Sequence, residues 1–472
     1  MDKYLYGASI QGIQTYIFQT NTLKDIIGAS DLVNRLCDDY VDIFAQKGTN
    51  VIVHAAGNIK CIFDSKDDCA KAVRDFPRYA MEKAPGITIS QAVVTISDSD
   101  DFKESTDELE RRLHAQRNHP VKSLTCGLMA IERSRTTGLP AIKFEKNEYL
   151  DAGTVSKREC KNDSKEKSDL YQKLTGESIS LHDKRPYDTK DLTDRNDWIA
   201  VIHADGNGLG EVISSIGSDI DELRNFSENL DKATIAAAQQ AYNSLGIESN
   251  KVLPIRPIVI GGDDLTILCR GDHAVKFVKA YLEAFEKETA KLIGQPLTAC
   301  AGIAYVKSSY PFYYGYDLAE ELCGYAKKDA KSDAMKNENN GLAPSCLMFH
   351  KVQSSFVEDY NTIIKKELTA GDTLLSFGPY YLTEQTNRWS IKQLTDMVKE
   401  LSKESNNRIK TAIRQWLTLI HEDASAAKQH TKRVNTINSN NELYNKATAI
   451  DNGRCHAYDI LSLLTIESQV TR

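Results

Sequence analysis

The chain has 472 residues, of which 41% are hydrophobic and 26% charged, with a formal net charge of −7. That length predicts about three domains rather than one core, and the acidic balance excludes a surface devoted to non-specific nucleic-acid binding, which needs many Lys and Arg to release counterions. No apolar run is long enough to span a bilayer and the start, MDKYLYGASIQG, lacks signal-peptide order, so no membrane association and a cytoplasmic location are expected.

In chain order, Lys3 to Ser9 reads as a short strand, followed by a helix in which Ile10, Ile13, Ile17 and Phe18 recur at helical spacing. A second helix is predicted over Ala29 to Phe44. VIVHA (51 to 55) and KCIF (60 to 63) read as strands around Ala56-Gly57-Asn58, and a helix over Lys66 to Lys83 and a strand near Ile87 to Ile96 complete the unit. This β-α-β-β-α-β order is the ferredoxin-like arrangement used by polymerase palm domains. Residues 1–120 are assigned to this first palm and 121–195, polar and highly charged between 157 and 185, to a connector with exposed loops. The ten cysteines include no C-x-x-C pair, and small buried hydrophobes are expected of them.

The same order returns over 196–355. DWIAVIHA (197 to 204) is a strand, an acid-rich helix covers Leu223 to Leu245, and LPIRPIVIGGDDLTIL (253 to 268) is a β-hairpin. A helix from Asp272, a candidate N-cap, to Leu292 leads into the strand LTACAGIAYV (297 to 306). A further helix over Asp317 to Lys331 and the strand SCLMFHKV (345 to 352) extend the domain. From 356 to 472 the period becomes helical, with WSIKQLTDMVKELSKESNNRIKTAIRQWLTLIHE (389 to 422) and HAYDILSLLTI (456 to 466) separated by a surface loop near Asn435 to Asn441. The fold expected is therefore α+β: two ferredoxin-like palms and a C-terminal helical domain.

The two copies can be set in register. GASIQGIQ (7 to 14) against HADGNGLG (203 to 210) places Gly12 on Gly208 and Ser9 on Asp205. AAGNIKCIF (55 to 63) against IGGDDLTIL (260 to 268) places Gly57 on Gly262, Asn58 on Asp263 and Ile59 on Asp264. The first copy then lacks every acid the second one carries, as in a duplicated palm with one active half.

Gly261 and Gly262 permit the positive φ of a tight reversal, which forces Asp263 and Asp264 together. Alone, this is either an ordinary Gly-Asp turn or half of a divalent-metal site, because paired carboxylates repel unless a cation lies between them. Asp205 ends the strand expected to neighbour the hairpin, and three oxygen donors without His or Cys select a hard cation, Mg²⁺ or Mn²⁺. The set suits two-metal phosphoryl transfer, with Asp205, Asp263 and Asp264 as metal ligands and catalytic residues. Gly206, Asn207 and Gly208, opening a helix, offer backbone N–H groups to a triphosphate, as do Gly261 and Gly262; a plain flexible loop is the alternative. Lys327 and Lys328 either reach phosphate or form a solvated helix face. His203 is either a base or a structural histidine, and the run Tyr310, Phe312, Tyr313, Tyr314 and Tyr316 either stacks a nucleobase or fills the core.

These residues resemble the large polymerase-like subunit of type III CRISPR effector complexes. The resemblance rests on ASIQGIQTYIF (8 to 18), IIGASDLVNRL (26 to 36), HADGNGLG, RPIVIGGDDLTIL (256 to 268), AGIAYVKSSYPFYYGYDLAEELCGYAKK (301 to 328) and CLMFHKV, and covers nearly the whole chain. It implies synthesis of cyclic oligoadenylate from ATP at the second palm, in antiviral defence, through Asp263, Asp264 and Asp205. It also implies nucleoside triphosphates, guide RNA and CRISPR subunits as partners, and a second-nucleotide pocket near Ser9 and Asn58 of the degenerate palm. The chain departs from the family's pattern in starting at the first palm, without the HD nuclease domain, and in lacking a zinc-binding cysteine cluster between the palms. A stand-alone nucleotide cyclase and a non-catalytic scaffolding subunit are therefore carried as alternatives, and a templated polymerase ranks last. Oligomeric state is left open.

Overall fold

The computed structural model describes residues 2–45, 51–55, 57–97, 102–119, 129–163, 170–176, 184–193, 197–216, 219–247, 252–339, 341–354, 358–437 and 441–467. The first palm consists of β1 (Lys3–Gln11), α1 (Ile13–Phe18), α2 (Leu23–Phe44), β2 (Val51–Ala55), β3 (Asn58–Phe63), α3 (Lys66–Lys83) and β4 (Thr88–Ile96). Its sheet has the order β2-β3-β1-β4, with every pairing antiparallel. Tyr6 and Ala8 of β1 pack with Tyr40 of α2 and Phe76 of α3 on one face, and Leu5 packs with Leu109 and Leu113 of α4 (Phe102–Arg117) on the other. With both faces covered, β1 is buried from Leu5 to Ile10 and shows no polar alternation.

Two boundaries differ from the sequence expectation. Ile10 belongs to the strand, not to a helix, and α2 starts at Leu23, six residues before Ala29. Gly28 interrupts the helical period because of what lies beside it: a Cβ there would sit 1.8 Å from the Lys157 carbonyl oxygen, so the glycine answers a close backbone approach.

The connector is more ordered than its composition suggests. β5 (Ala141–Glu145) and β6 (Glu148–Asp151) form a hairpin whose turn residues, Lys146 and Asn147, both have positive φ (48° and 66°), and α5 (Ala152–Asp163) follows directly. α6 (Leu170–Thr175) docks on the second palm, where the Tyr171 hydroxyl donates to the Ile255 carbonyl at 2.7 Å. Parts of the expected charged loops, 164–169 and 177–183, and the centre of the loop expected near Asn435 to Asn441, 438–440, lie outside the described residues.

The second palm comprises β7 (Trp198–Gly206), α7 (Leu209–Ile216), α8 (Ile220–Ser244), β8 (Ile255–Gly261), β9 (Asp264–Arg270), α9 (Ala274–Ile293), β10 (Ala299–Lys307), α10 (Phe312–Ala330), α11 (Asp333–Glu338) and β11 (Cys346–Lys351). Within its sheet the order β8-β9-β7-β10 repeats β2-β3-β1-β4 strand for strand, and β11 adds in parallel beyond β10. α10 lies directly on β10 because Gly302 has no side chain; a Cβ there would be 2.0 Å from the Ala319 carbonyl oxygen. α10 begins at Phe312 rather than Asp317, since Phe312 and Tyr316 are the buried first turn. Asp272 does not cap α9: its carboxylate is held by Arg270 at 2.6 and 2.7 Å in a short 3-10 turn that precedes the helix.

The observed pairing also corrects the hairpin register between copies. Ala55 pairs with Asn58 and Gly261 with Asp264; Ser9 faces Asn58, and Ala204 faces Leu265 one step before Asp205 would face Asp264. Asn58 is thus the counterpart of Asp264, not Asp263, and Gly57 that of Asp263. The one-residue error arose from matching glycines, whereas strand pairing is decided by which residues face each other across β1–β3 and β7–β9.

Beyond β11 come α12 (Tyr360–Lys366), β12 (Thr369–Ala370), β13 (Thr373–Leu374), β14 (Tyr380–Tyr381), α13 (Ile391–Ser402), α14 (Asn407–Glu422), α15 (Ala424–Ile437), α16 (Glu442–Thr448), β15 (Ile450–Asp451), β16 (Arg454–Cys455) and α17 (Ala457–Glu467). The region is helical, with two-residue strands too short to leave a period in the sequence; β14 extends the second palm's sheet. No described helix is long and apolar enough to cross a membrane.

Candidate metal centre

In the β8–β9 hairpin Gly261 pairs with Asp264, which leaves Gly262 and Asp263 as the two turn residues. Of the two glycines before the acids, Gly262 alone takes a positive φ, 61°. Its peptide is gripped from both ends by α8: the Gly262 N–H donates to Asp231 Oδ1 at 3.1 Å, and the Thr234 hydroxyl donates to the Gly262 carbonyl at 2.5 Å. Asp263 and Asp264 are aimed by these contacts toward the end of β7, where Asp205 sits. One carboxylate oxygen from each of Asp205, Asp263 and Asp264 lies within 4.8 Å of the others. The approach depends on Gly206, where a Cβ would stand 2.7 Å from Leu209 Cδ1 and 3.1 Å from Asp263 Cβ.

The electrostatics are those of a carboxylate cluster short of positive charge. Burial, then the Asp264 and Asp205 carboxylates, push Asp263 well above the usual carboxylate range. Burial and Asp205 push Asp264 up to about 6, with Lys327 opposing them. Lys327, on α10, ion-pairs with Asp205 and donates to the Gly206 carbonyl at 2.8 Å. Burial pulls the Lys327 ammonium's pKa down, but Asp205 outweighs it and the net direction is up. Three converging hard oxygen donors, only one of them neutralised by a lysine, fit a divalent cation.

The other residues singled out from sequence fall on both sides of this centre. Asn207 is 6% exposed and turned inward, its amide donating to Thr298 Oγ1 at 3.1 Å, so its side chain anchors the loop. Gly208, like its counterpart Gly12, takes a positive φ (72° and 63°) just before a helix. Ser9 and Asn58 meet in the first palm, the Ser9 hydroxyl donating to Asn58 Oδ1 at 2.8 Å. Lys328 points to solvent. His203 is buried beside Thr266 Oγ1 (3.3 Å) and against the Tyr316 edge; burial pushes it down to about 4, so it is neutral at physiological pH. The aromatic run divides: Phe312 and Tyr316 pack on Phe18 in the core, while Tyr313 and Tyr314 are exposed.

Sequence reasoning missed Asp231 and Thr234, three residues apart on one face of α8, and Glu320 of α10, whose carboxyl is raised by burial, Asp317 and Asp205. The acid-rich helix was visible, but which of its faces meets the hairpin was not. A cavity of about 300 Å³ opens beside Asp264 between the palms. α1 and α2 form one wall through Ile13, Gln14 and Asn34; His203, Thr266 and Tyr316 form the other.

Residues 198–338 match the family model for the second palm domain of Cas10/Cmr2. No curated protein matches the chain. Among solved structures it is similar to a chain from the crystal structure of a Csm1–Csm4 cassette in complex with cA4, with a TM-score of 0.62 and 14% identity over 99% of this chain and 70% of that one. The same cassette in complex with AMPPNP gives a TM-score of 0.62 at 15% identity over 100% and 70%. With one ATP it gives 0.55 at 14% identity, and 56 chains match in all. Similarity at this identity is similarity of fold, and it extends along the whole chain.

Proposed function

Starting from a palm of the Cas10/Cmr2 type, we propose that the chain is a divalent-cation-dependent nucleotidyltransferase that joins ATP molecules into a cyclic oligonucleotide messenger in antiviral defence. The observation that carries this reading is the convergence of Asp205, Asp263 and Asp264, with Asp264 lining a cavity large enough for a nucleoside between two palms of one topology. Complexes of the similar Csm1–Csm4 cassette with one ATP, AMPPNP and cA4 support ATP as substrate and cyclic oligoadenylate as product class.

Asp205, Asp263 and Asp264 would hold Mg²⁺ or Mn²⁺, which when bound supplies Lewis-acid activation of a ribose hydroxyl and neutralisation of a leaving pyrophosphate. Asp231 and Thr234 hold the hairpin turn so that both its acids face Asp205. Lys327 stands where it can exchange Asp205 for a phosphate oxygen, whereas the Asn207 N–H expected to meet a triphosphate donates instead to the Thr298 carbonyl at 2.8 Å. The neutral His203 and the first-palm wall form the nucleoside pocket, while Ser9 and Asn58, bonded to each other, lie outside its lining. Assembly with a Csm4-like subunit and a guide RNA belongs to the same proposal.

Purified protein incubated with ATP, GTP and Mg²⁺, alone and with candidate RNA activators, tests it by mass spectrometry of the products. A cyclic adenylate from the native chain, lost in the Asp263→Ala, Asp264→Ala double variant, is the expected result. Equal product from that variant would overturn the assignment.

A further inference from the structure

The connector helix α5 presents two adjacent basic side chains to the joint between α1 and α2, away from the metal centre. The Lys157 ammonium donates to the Tyr16 carbonyl at 2.7 Å and reaches Gln19 Oε1 at 3.4 Å, lying 4.1 Å from the centre of the Tyr16 ring. Arg158 grips Asp25, in the first turn of α2, through two parallel hydrogen bonds of 2.9 and 3.1 Å. Lys157 and Asp25 are each 2% exposed. Between them Gly28 admits the α5 backbone to van der Waals contact with α2.

Both helices so held line the inter-palm cavity, α1 through Ile13, Gln14 and Thr15 and α2 through Ser30, Val33 and Asn34. α1 is six residues long and has no side-chain N-cap, so nothing local fixes its position. The last carbonyls of a short helix need donors, and a buried ammonium is a strong one. Yet burying an ammonium that has no carboxylate within ion-pair distance among the described residues is costly, and a methionine of similar length would fill the same space without that cost. The charge has a use other than packing.

We propose that Lys157 and Arg158 are positioning residues for the nucleotide cleft: the connector grips the end of α1 and the start of α2 and so sets the first-palm wall of the cavity. This rests on the reading of that cavity as a nucleotide site. It makes the connector, which joins the palms in sequence, a part of the pocket it never touches.

The charge state gives a second handle. Burial pushes Lys157 down to about 8, against the opposing carboxylates of Asp151 and Asp25. The other titratable groups around it are Tyr16, raised by burial, Arg158, raised by Asp25 and Glu148, and Glu148 itself. The ammonium is therefore present below that pH and lost above it, while a guanidinium at the same place stays charged.

The test uses the full chain with AMPPNP and Mg²⁺ by calorimetric titration, together with hydrogen exchange of peptides spanning residues 12–22. Lys157→Met is expected to weaken AMPPNP binding roughly tenfold, as loss of an outer-shell contact does at other sites, and to speed exchange in that peptide but not in the 255–270 hairpin. Its melting temperature should stay close to the native value, and Lys157→Arg should restore binding. From about pH 7 to about pH 9 affinity should fall for the native chain and stay level for Lys157→Arg. Unchanged exchange, or unchanged affinity in Lys157→Met while the native chain binds, would overturn the clamp and leave the nucleotide reading intact. Loss of binding matched by a loss of thermal stability would return Lys157 to a packing role. A native chain that binds no AMPPNP would remove the nucleotide reading and the clamp's purpose with it.

Discussion

The two palms share the order and pairing of four strands, and their chemistry diverges where β1 or β7 meets its hairpin. In the first, Ser9 and Asn58 face each other and close a neutral hydrogen bond of 2.8 Å. In the second, Asp205 and Asp264 occupy the same two positions, Asp263 joins them from the turn, and burial together with the neighbouring carboxylates raises the pKa values of Asp263 and Asp264. A self-satisfied pair needs no ligand, and three crowded carboxylates do. At these positions the same strand order thus carries a neutral pair in one copy and a carboxylate cluster that fits a divalent cation in the other.

The largest effect should come from emptying the second palm. Asp263→Ala with Asp264→Ala is expected to lower product formation by about three orders of magnitude or more, because two of the three carboxylates that would hold the cation are gone. Calorimetric titration with Mn²⁺ should show binding lost in parallel. Next is the reverse experiment, making the first palm resemble the second. Ser9→Asp with Asn58→Asp should destabilise the metal-free protein by about 3 kcal/mol in urea unfolding, since a carboxylate buried at position 9 then faces a second one at the exposed position 58 in place of a neutral pair. Mn²⁺ should recover part of it; no loss of stability would mean that the two sites differ in more than these side chains.

A smaller change should follow from loosening the α8 grip on the Gly262 peptide. Thr234→Val, which keeps shape and removes the donor, should raise the Mg²⁺ concentration for half-maximal activity roughly tenfold, and Thr234→Ser should restore it. The smallest effect is in pH. Asp264 and Asp263 hold protons in the folded metal-free state at pH values where the unfolded chain has released them. Their contribution to stability is therefore present at low pH and lost as pH rises through about 4 to about 6 and somewhat beyond. Native protein minus Asp264→Asn should show this fall in melting temperature, whereas added Mg²⁺, which binds the ionised acids, should stabilise more at pH 8 than at pH 5.

Much of the fold was legible in residue order. The α3 helix, the β2 and β11 strands and the repeat itself follow from local period and β-branched content, which survive whatever surrounds them. That Asp205, Asp263 and Asp264 would converge was legible as well, because a strand end and a neighbouring hairpin turn in this topology meet at one end of the sheet. The pairing of Asn58 with Asp264's position was not, since glycine identity is a poor guide to which residues face each other across a sheet. Nor were β12 to β16, whose two-residue strands carry no period.

The sequence by itself determined the two palms and the acidic residues of the second, because these rest on local patterns and on the chemistry of single side chains. Only the tertiary structure decided that Asp231 and Thr234 hold the hairpin, that Lys327 faces Asp205, and that the connector grips α1 and α2 through Lys157 and Arg158. Those contacts join residues 28 to 141 positions apart. Each is chosen by how helices pack on a sheet, a choice made by shape and burial over the whole molecule and written in no short stretch of it.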